Sequence, residues 1–417
     1  MATRRKAIVI HNREQKSTGQ AASAGLLLIG LAYLGFISLG LPDGLHGIAW
    51  PSVRATFQLG IDALGAILVM FTSGYLLASF SSSRLLTVMN VGTLLALSCL
   101  LMAISLTGYA LAPSWGCMVA LAPVAGAGSG AIDAGLNSYA ALNFSRRTVN
   151  WLHACYGIGA AIGPAIMTAV LNAGRPWRWG YAIVAMTQFV MAVAFALTRA
   201  RWTNIDAKAQ AVGKLPRQSN RGTLRLPAVW LSIAIFFIYT GLETAAGAWA
   251  FSFFTEGRGV GAGEAGLWVS VYWGSLTVGR LIFGFVAESR AARWLLRLCL
   301  VSIGVGAALI WLNAAPLLSF CGLALMGLAS GPVFPSMIAE TPRRLGAAHT
   351  ANAVGYEIAA AMLGASLLPA AIGIAASRFG LESIGPALLL TAILLFVFHE
   401  SLRFAGQSAI RGESSST

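Results

Sequence analysis

Seven titratable or charged side chains sit inside apolar stretches: Asp43, His46, Asp133, His153, Glu243, Arg280 and Glu357. Charge in hydrocarbon is expensive and rare, and where it occurs it marks proton relays, ion or solute pathways, or gating pairs. A carboxylate in such a place can take up and release a proton, or accept hydrogens from solute hydroxyls. Asp133 stands out, in "GSGAIDAGLNSYAALN". Asp133 and Asn137 are at i and i+4 and share one helix face, with Gly126, Gly130 and Ala134 flanking a surface that lets another helix approach. The alternative reading of Asp133 is a hydrogen bond to a neighbouring helix.

Asp43 and His46, in "GLPDGLHGIAW", are at i and i+3, which also puts them on one face. Pro42 removes a backbone donor beside them and predicts a weakened helix. The pair suits a proton or solute-hydroxyl site, or a hydrated outer mouth. "GLETAAGAWA" carries Glu243, followed by Trp249, with Tyr239 one turn before it. A carboxylate beside an aromatic ring fits a polyol, the acid accepting hydroxyl hydrogens and the ring stacking on C–H faces; a gating hydrogen bond is the competing reading. Glu357, in "ANAVGYEIAA", is expected to pair with Arg280, making both gate elements. His153, in "NWLHACYGIGAAIGP", is a candidate proton relay or a structural histidine near a helix end.

The elements that must position these residues are membrane helices. The chain has 417 residues, 57% hydrophobic and 10% charged, with a mean hydropathy of +0.74. Apolar runs long enough to cross roughly 30 Å of hydrocarbon recur throughout. Helices are expected, because each satisfies its own backbone in lipid. Twelve spans are predicted, at 23–49, 62–82, 87–110, 115–142, 150–173, 177–198, 228–254, 265–287, 293–312, 316–338, 350–376 and 382–399. They divide into a tail 1–22, a bundle 23–198, a basic linker 199–227, a second bundle 228–399 and a tail 400–417.

The net charge of +14 would suggest nucleic acid in a soluble protein. Here the basic residues lie in the connectors. With both termini in the cytoplasm, 22 of the 28 Lys and Arg fall inside and five outside, the asymmetry of the positive-inside rule. A nucleic-acid partner is therefore not expected. Cys99, Cys117, Cys155, Cys299 and Cys321 lie in or beside apolar segments without CxxC spacing, so they read as packing residues. No Walker motif, HExxH, nucleophile elbow or dinucleotide fingerprint is present. No enzyme activity, metal or cofactor is expected.

The halves repeat each other about 200 residues apart. "GAGSG" at 126–130 matches "GLASG" at 327–331, Arg146-Arg147 matches Arg343-Arg344, "GYLLASFSSSR" matches "RLIFGFVAESR", and "GLPDGLHGIAW" matches "GLETAAGAWA". Transporters use such duplication for alternating access about a central site. Twelve helices as six plus six, a long basic central loop and paired short loop motifs resemble the major facilitator superfamily over nearly the whole chain. The resemblance implies an all-α membrane protein of two pseudo-symmetric six-helix bundles. It also implies a gating latch at the family's loop motif. The second copy, "GFVAESRAAR", supplies Glu288, Arg290 and Arg293, whereas the first, "ASFSSSR", keeps Arg84 without an acid.

Span 4 is similar to that of the fucose-permease-like branch, where an acid is followed four residues later by asparagine. That resemblance implies proton coupling at Asp133 and solute contact at Asn137. The branch's span-1 acid falls about a turn beyond Asp43, so no role passes to Asp43 from it. "GAAIGP" at 159–164 resembles part of a span-5 element of drug/proton antiporters, and also reads as glycine packing. The expectation is a monomeric, multi-pass protein of the inner (plasma) membrane that moves a small polar, sugar-like solute with a coupling cation, a proton rather than sodium. An exporter of drugs or metabolites and a non-transporting sensor are the alternatives.

Overall fold

The computed structural model describes residues 2–202, 219–286 and 292–414. The chain is almost entirely helical. The first half holds α1 (Ala2–Phe57), α2 (Leu64–Val88), α3 (Val91–Leu111), α4 (Trp115–Asn143), α5 (Arg146–Asn172) and α6 (Arg178–Thr198). The second holds α7 (Pro227–Ser252), α8 (Ala262–Val286), α9 (Ala292–Leu312), α10 (Pro316–Leu345), α11 (Ala347–Phe379) and α12 (Ile384–Ser414). A short helix, Asn220–Leu224, precedes α7.

Among the described residues, eleven helices are long and apolar enough to cross a membrane. The twelfth, α8, is 25 residues long and turns Trp268, Tyr272, Trp273 and Arg280 toward its neighbours. Large apolar side chains such as Leu77, Leu111, Trp179 and Leu197 are exposed on the bundle's outside, as expected where lipid replaces water.

Several spans run beyond their predicted ends. The apolar part of α1 reaches Phe57, passing through both Pro42 and Pro51 without a break, so the weakening expected at Pro42 does not interrupt the helix. Helix α10 continues to Leu345, with Gly331-Pro332 separating two helical stretches, Pro316–Ser330 and Val333–Leu345. Proline lacks the amide that would continue the ladder there. Gly346, at φ +78°, then turns the chain directly into α11, a conformation glycine adopts without steric cost. Asn90 and Ser145 cap α3 and α5 by accepting the amides of Thr93 and Thr148.

Each half is built the same way. In the first, α1 packs on α5, α2 on α4 and α3 on α6; in the second, α7 packs on α11, α8 on α10 and α9 on α12. The closest crossings are repeated residue for residue. Gly126 and Gly130 of α4 abut the carbonyls of Phe71 and Tyr75, and Gly327 and Gly331 of α10 abut those of Tyr272 and Leu276. Gly159 of α5 abuts the Ile37 carbonyl, as Gly364 of α11 abuts that of Phe237. The "GAGSG" and "GLASG" segments are therefore contact surfaces in which the absent Cβ lets two helix backbones touch. The glycines of "GAAIGP" do the same, Gly159 and Gly163 resting on the Ile37 and Leu41 carbonyls.

The halves meet through α5 with α8, α2 with α11, and α1 with α7. These contacts concentrate toward the end of the bundle remote from the termini. Gly65 lies against Ala370, Gly47 against the Gly247 and Ala248 carbonyls, and Gly263 against Asn172.

Candidate functional site

Three carboxylates converge on the boundary between the halves, one each from α1, α4 and α7. Asp133 of α4 accepts a hydrogen bond from the Tyr75 hydroxyl of α2 at 2.7 Å and another from the Asn137 amide at 2.9 Å. The Asp133–Asn137 spacing thus closes into a direct bond on one helix face. Asp43 of α1 accepts a hydrogen bond from the Tyr156 hydroxyl of α5. Both acids are held by neutral donors. Asp43 lies within electrostatic range of Asp133 and of Glu243 in the other half.

Glu243 of α7 is 8% exposed and differs from these two in having a cation. Arg280 of α8 stands 3.5 Å away as an ion pair. The Tyr239 hydroxyl lies between the Glu243 carboxylate and the Ser330 carbonyl, and the Tyr272 hydroxyl donates to the Glu243 backbone oxygen at 2.8 Å. Arg280 also faces the other half, within reach of Tyr156 and His153. His153 is open on α5, edge-on to Phe36 at 5.6 Å between ring centroids. It lies within electrostatic reach of Asp133.

The expected pairing of Glu357 with Arg280 is not formed. Glu357 is fully buried within the second half and accepts from the Thr341 hydroxyl at 3.0 and 3.1 Å. Arg344 donates to the same hydroxyl at 3.2 Å and to Ser232 at 3.3 Å. The extension of α10 past residue 338 is what carries Thr341 and Arg344 inward to meet Glu357.

His46 also parts from its expected place beside Asp43. Its ring nitrogen is 2.9 Å from the Tyr181 hydroxyl of α6, and Tyr109 of α3 packs edge-on to Tyr181. Residues at i and i+3 are about 60° apart around a helix. On α1, that angle separates the α5-facing side from the α6-facing side. Trp249 is fully buried; its indole donates to the Pro369 carbonyl at 2.9 Å and its ring covers Gly373. The ring therefore packs α7 on α11 and has no free face for a solute.

Arg84 is exposed at the end of α2. Glu288 and Arg290 lie outside the described residues, as does the Arg293 side chain. Tyr75 and Tyr156, which hold the two acids of the first half, carry no mark in the sequence. Each looks like one aromatic among many in an apolar run, and only the helix crossings bring it to a carboxylate.

At the far end of the bundle, Arg54 of α1 and Glu256 of the π-helical turn after α7 form an ion pair that ties the halves together. Both side chains are partly exposed, 29% and 27%. An exposed pair of this kind contributes at most about 1 kcal/mol. Arg54→Gln is accordingly expected to leave thermal stability almost unchanged. It should raise the fraction of molecules open at this end by up to about fivefold, read as labelling of a cysteine placed beneath the closure.

Comparison with known proteins agrees with this architecture. The chain is 24% identical over 408 residues to "Bypass of stop codon protein 6" of Saccharomyces cerevisiae (strain ATCC 204508 / S288c), covering 88% of this chain and 80% of that protein. It is 24% identical over 334 residues to the glucose/mannose transporter GlcP of Bacillus subtilis (strain 168), covering 75% and 78%. Among solved structures, it superposes on a bacterial homolog of the human lysosomal transporter Spinster, in the inward-facing and occupied conformation. That match has a TM-score of 0.70 at 14% identity and covers 93% of this chain and 97% of the other. The profile of the Major Facilitator Superfamily matches residues 32–369. With two pseudo-symmetric six-helix halves enclosing a carboxylate-bearing boundary, the chain belongs to the major facilitator superfamily and is a membrane transporter, not an enzyme.

Proposed function

We propose that the protein is a proton-coupled carrier of a small, uncharged, hydroxyl-rich solute of the sugar class, akin to the fucose-permease-like branch. In this reading it works as a monomer in the inner (plasma) membrane with both termini in the cytoplasm. The observation that carries it is the convergence of Asp43, Asp133 and Glu243 on the boundary between the halves, beside the Tyr156, Tyr239 and Arg280 donors. A hydroxyl both donates and accepts, so a polyol can satisfy both kinds of group. Three carboxylates against one arginine disfavour an anionic solute. The glucose/mannose transporter among the relatives supports the sugar class.

Asp133 is the coupling site in this reading. Its partners are a phenol and an amide, and both can also face a protonated acid. Taking up a proton removes a buried charge whose cost differs between two conformations, and that difference lets a proton gradient bias the cycle. Asp43, likewise held by a phenol, is the second protonatable group, and His153 stands where it could pass a proton to Asp133. With cytoplasmic termini, the Arg54–Glu256 closure faces outward, which supports an inward-facing arrangement.

The test is flux into proteoliposomes of known orientation, over a panel of sugars and polyols, with a proton or a sodium gradient imposed. Saturable uptake that follows the proton gradient and ignores sodium is expected. Solute moving against the proton flow would replace this reading with the exporter. No flux across a broad panel would replace it with the sensor.

A further inference from the structure

Asp43 and Glu243 occupy equivalent places in the two halves. Each lies six residues after the carbonyl that receives a crossing glycine, Ile37 against Gly159 and Phe237 against Gly364. Their partners are not equivalent. Among the described residues, Glu243 faces the guanidinium of Arg280, whereas Asp43 has the Tyr156 hydroxyl and no cation. The register that equates Phe71 with Tyr272 and Tyr75 with Leu276 makes Ser79 of α2 the counterpart of Arg280 of α8, so the first half has no cation at that place. One cation thus serves a boundary with two symmetry-related acids, paired with Glu243 and within reach of the Tyr156 that holds Asp43, and a buried charge is stable only when compensated.

Arg280 sits at the boundary rather than deep in its own half. Helix α8 meets α5 where Thr277 packs on Gly157. Tyr156, which holds Asp43, adjoins Gly157, and Arg280 lies one turn beyond Thr277. The contact to Glu243 is long, 3.5 Å through one terminal nitrogen, and the Arg280 Nε is buried without an acceptor. The guanidinium is therefore only partly satisfied by Glu243. Around it stand Glu243, Tyr239 and Tyr272 from its own half, and Tyr156, with Asp43 behind it, and His153 from the other.

We propose that Arg280 is a cation shared between the halves: it pairs with Glu243 in the arrangement described here and passes to the Asp43–Tyr156 pair when α8 and α5 shift during the cycle. The proposal rests on the carrier reading and adds an exchange of ion-pair partners across the boundary. In either state one of the two acids lacks the guanidinium and needs a proton or a solute hydroxyl instead. The exchange makes Arg280 a positioning residue whose partner reports which way the carrier faces.

A double-mutant cycle read on conformation tests this without requiring transport. The reporter is Thr168→Cys, at a hydroxyl buried where α5 meets Gly266 of α8, in a protein whose five native cysteines are replaced by alanine. Glu243→Gln frees Arg280 for Asp43 and is expected to change the maleimide labelling rate at position 168 by about fivefold. Adding Asp43→Asn should return the rate toward that of the parent, because the second partner is then gone. Effects of the two substitutions that simply multiply, to within about twofold, would overturn the shared cation.

Should Glu243→Gln fail to yield monodisperse protein, Arg280→Lys with Tyr156→Phe forms a second cycle with the same criterion. Multiplying effects in a protein that still carries polyols would remove the shared cation and leave the carrier intact. Strong coupling in a protein without proton-driven flux would do the reverse.

Discussion

Asp133→Asn should reduce proton-driven solute accumulation to a ratio of about 1, because a neutral side chain at this position has no charge for the gradient to act on. Solute counterflow and binding should survive in part. The asparagine can keep the hydrogen bonds now made by Tyr75 at 2.7 Å and Asn137 at 2.9 Å, since its amide supplies both an acceptor and donors. The informative comparison is accumulation against counterflow in the same proteoliposomes. Loss of both would mean that Asp133 is structural, and loss of neither would end its assignment as the coupling group. Asp43→Asn, measured alongside, separates the two acids. The one that uncouples without blocking counterflow carries the proton.

Gly126→Ala should abolish folding or come close to it, although it adds one methyl group. A Cβ at Gly126 would lie 2.7 Å from the Phe71 carbonyl carbon and 2.9 Å from the Tyr75 amide nitrogen. Both are backbone atoms of α2, so no side-chain rotation relieves the collision and the two helices must separate along their length. Overpacking a core ordinarily costs about 1–3 kcal/mol; here a cost above that range is expected, because the whole α2–α4 contact moves. Gly327→Ala, the equivalent in the second half, should be comparably damaging. Gly274→Ala is the control. No atom lies within 4 Å of a Cβ there, and replacing a mid-helix glycine should be neutral or stabilising by about 0.5–1 kcal/mol. Detergent-solubilised yield and midpoint temperature distinguish the outcomes. A Gly126→Ala protein as stable as the parent would refute the backbone contact.

Much of the fold was legible because membrane insertion leaves few choices. A stretch of twenty apolar residues has to be a helix, and twelve of them with a repeat at about 200 residues leave little freedom of architecture. The repeat pairs proved informative at single-residue level, since the glycines of "GAGSG" and "GLASG" make the same crossing twice. Helix ends were less legible. The continuation of α10 through residues 339–345 is amphipathic and rich in charge, so hydropathy ends the span early, and the error displaced Arg344 from the bundle into a connector.

Within the site, local spacing and tertiary placement divide cleanly. Asp133 with Asn137 depends only on helix periodicity, and the bond between them forms as the i, i+4 spacing requires. Asp43 with His46 uses the same kind of argument and fails, because the two point to different neighbouring helices. Trp249 beside Glu243 in sequence suggested a stacking platform, yet the ring is consumed in packing against α11.

Hydropathy, charge and period along the chain establish a duplicated helical membrane protein with acids at repeated positions inside its spans. Hydrophobicity, charge asymmetry and helical period are properties of one segment at a time. The partner of each acid emerges from the helix crossings instead: Arg280 for Glu243 rather than Glu357, Thr341 with Arg344 around Glu357, and the hydroxyls of Tyr75 and Tyr156 for Asp133 and Asp43. The physical reason is that a buried charge must find its partner across a helix crossing. The rotation and depth of each crossing are set by which glycines let two backbones touch, and no single segment contains that information.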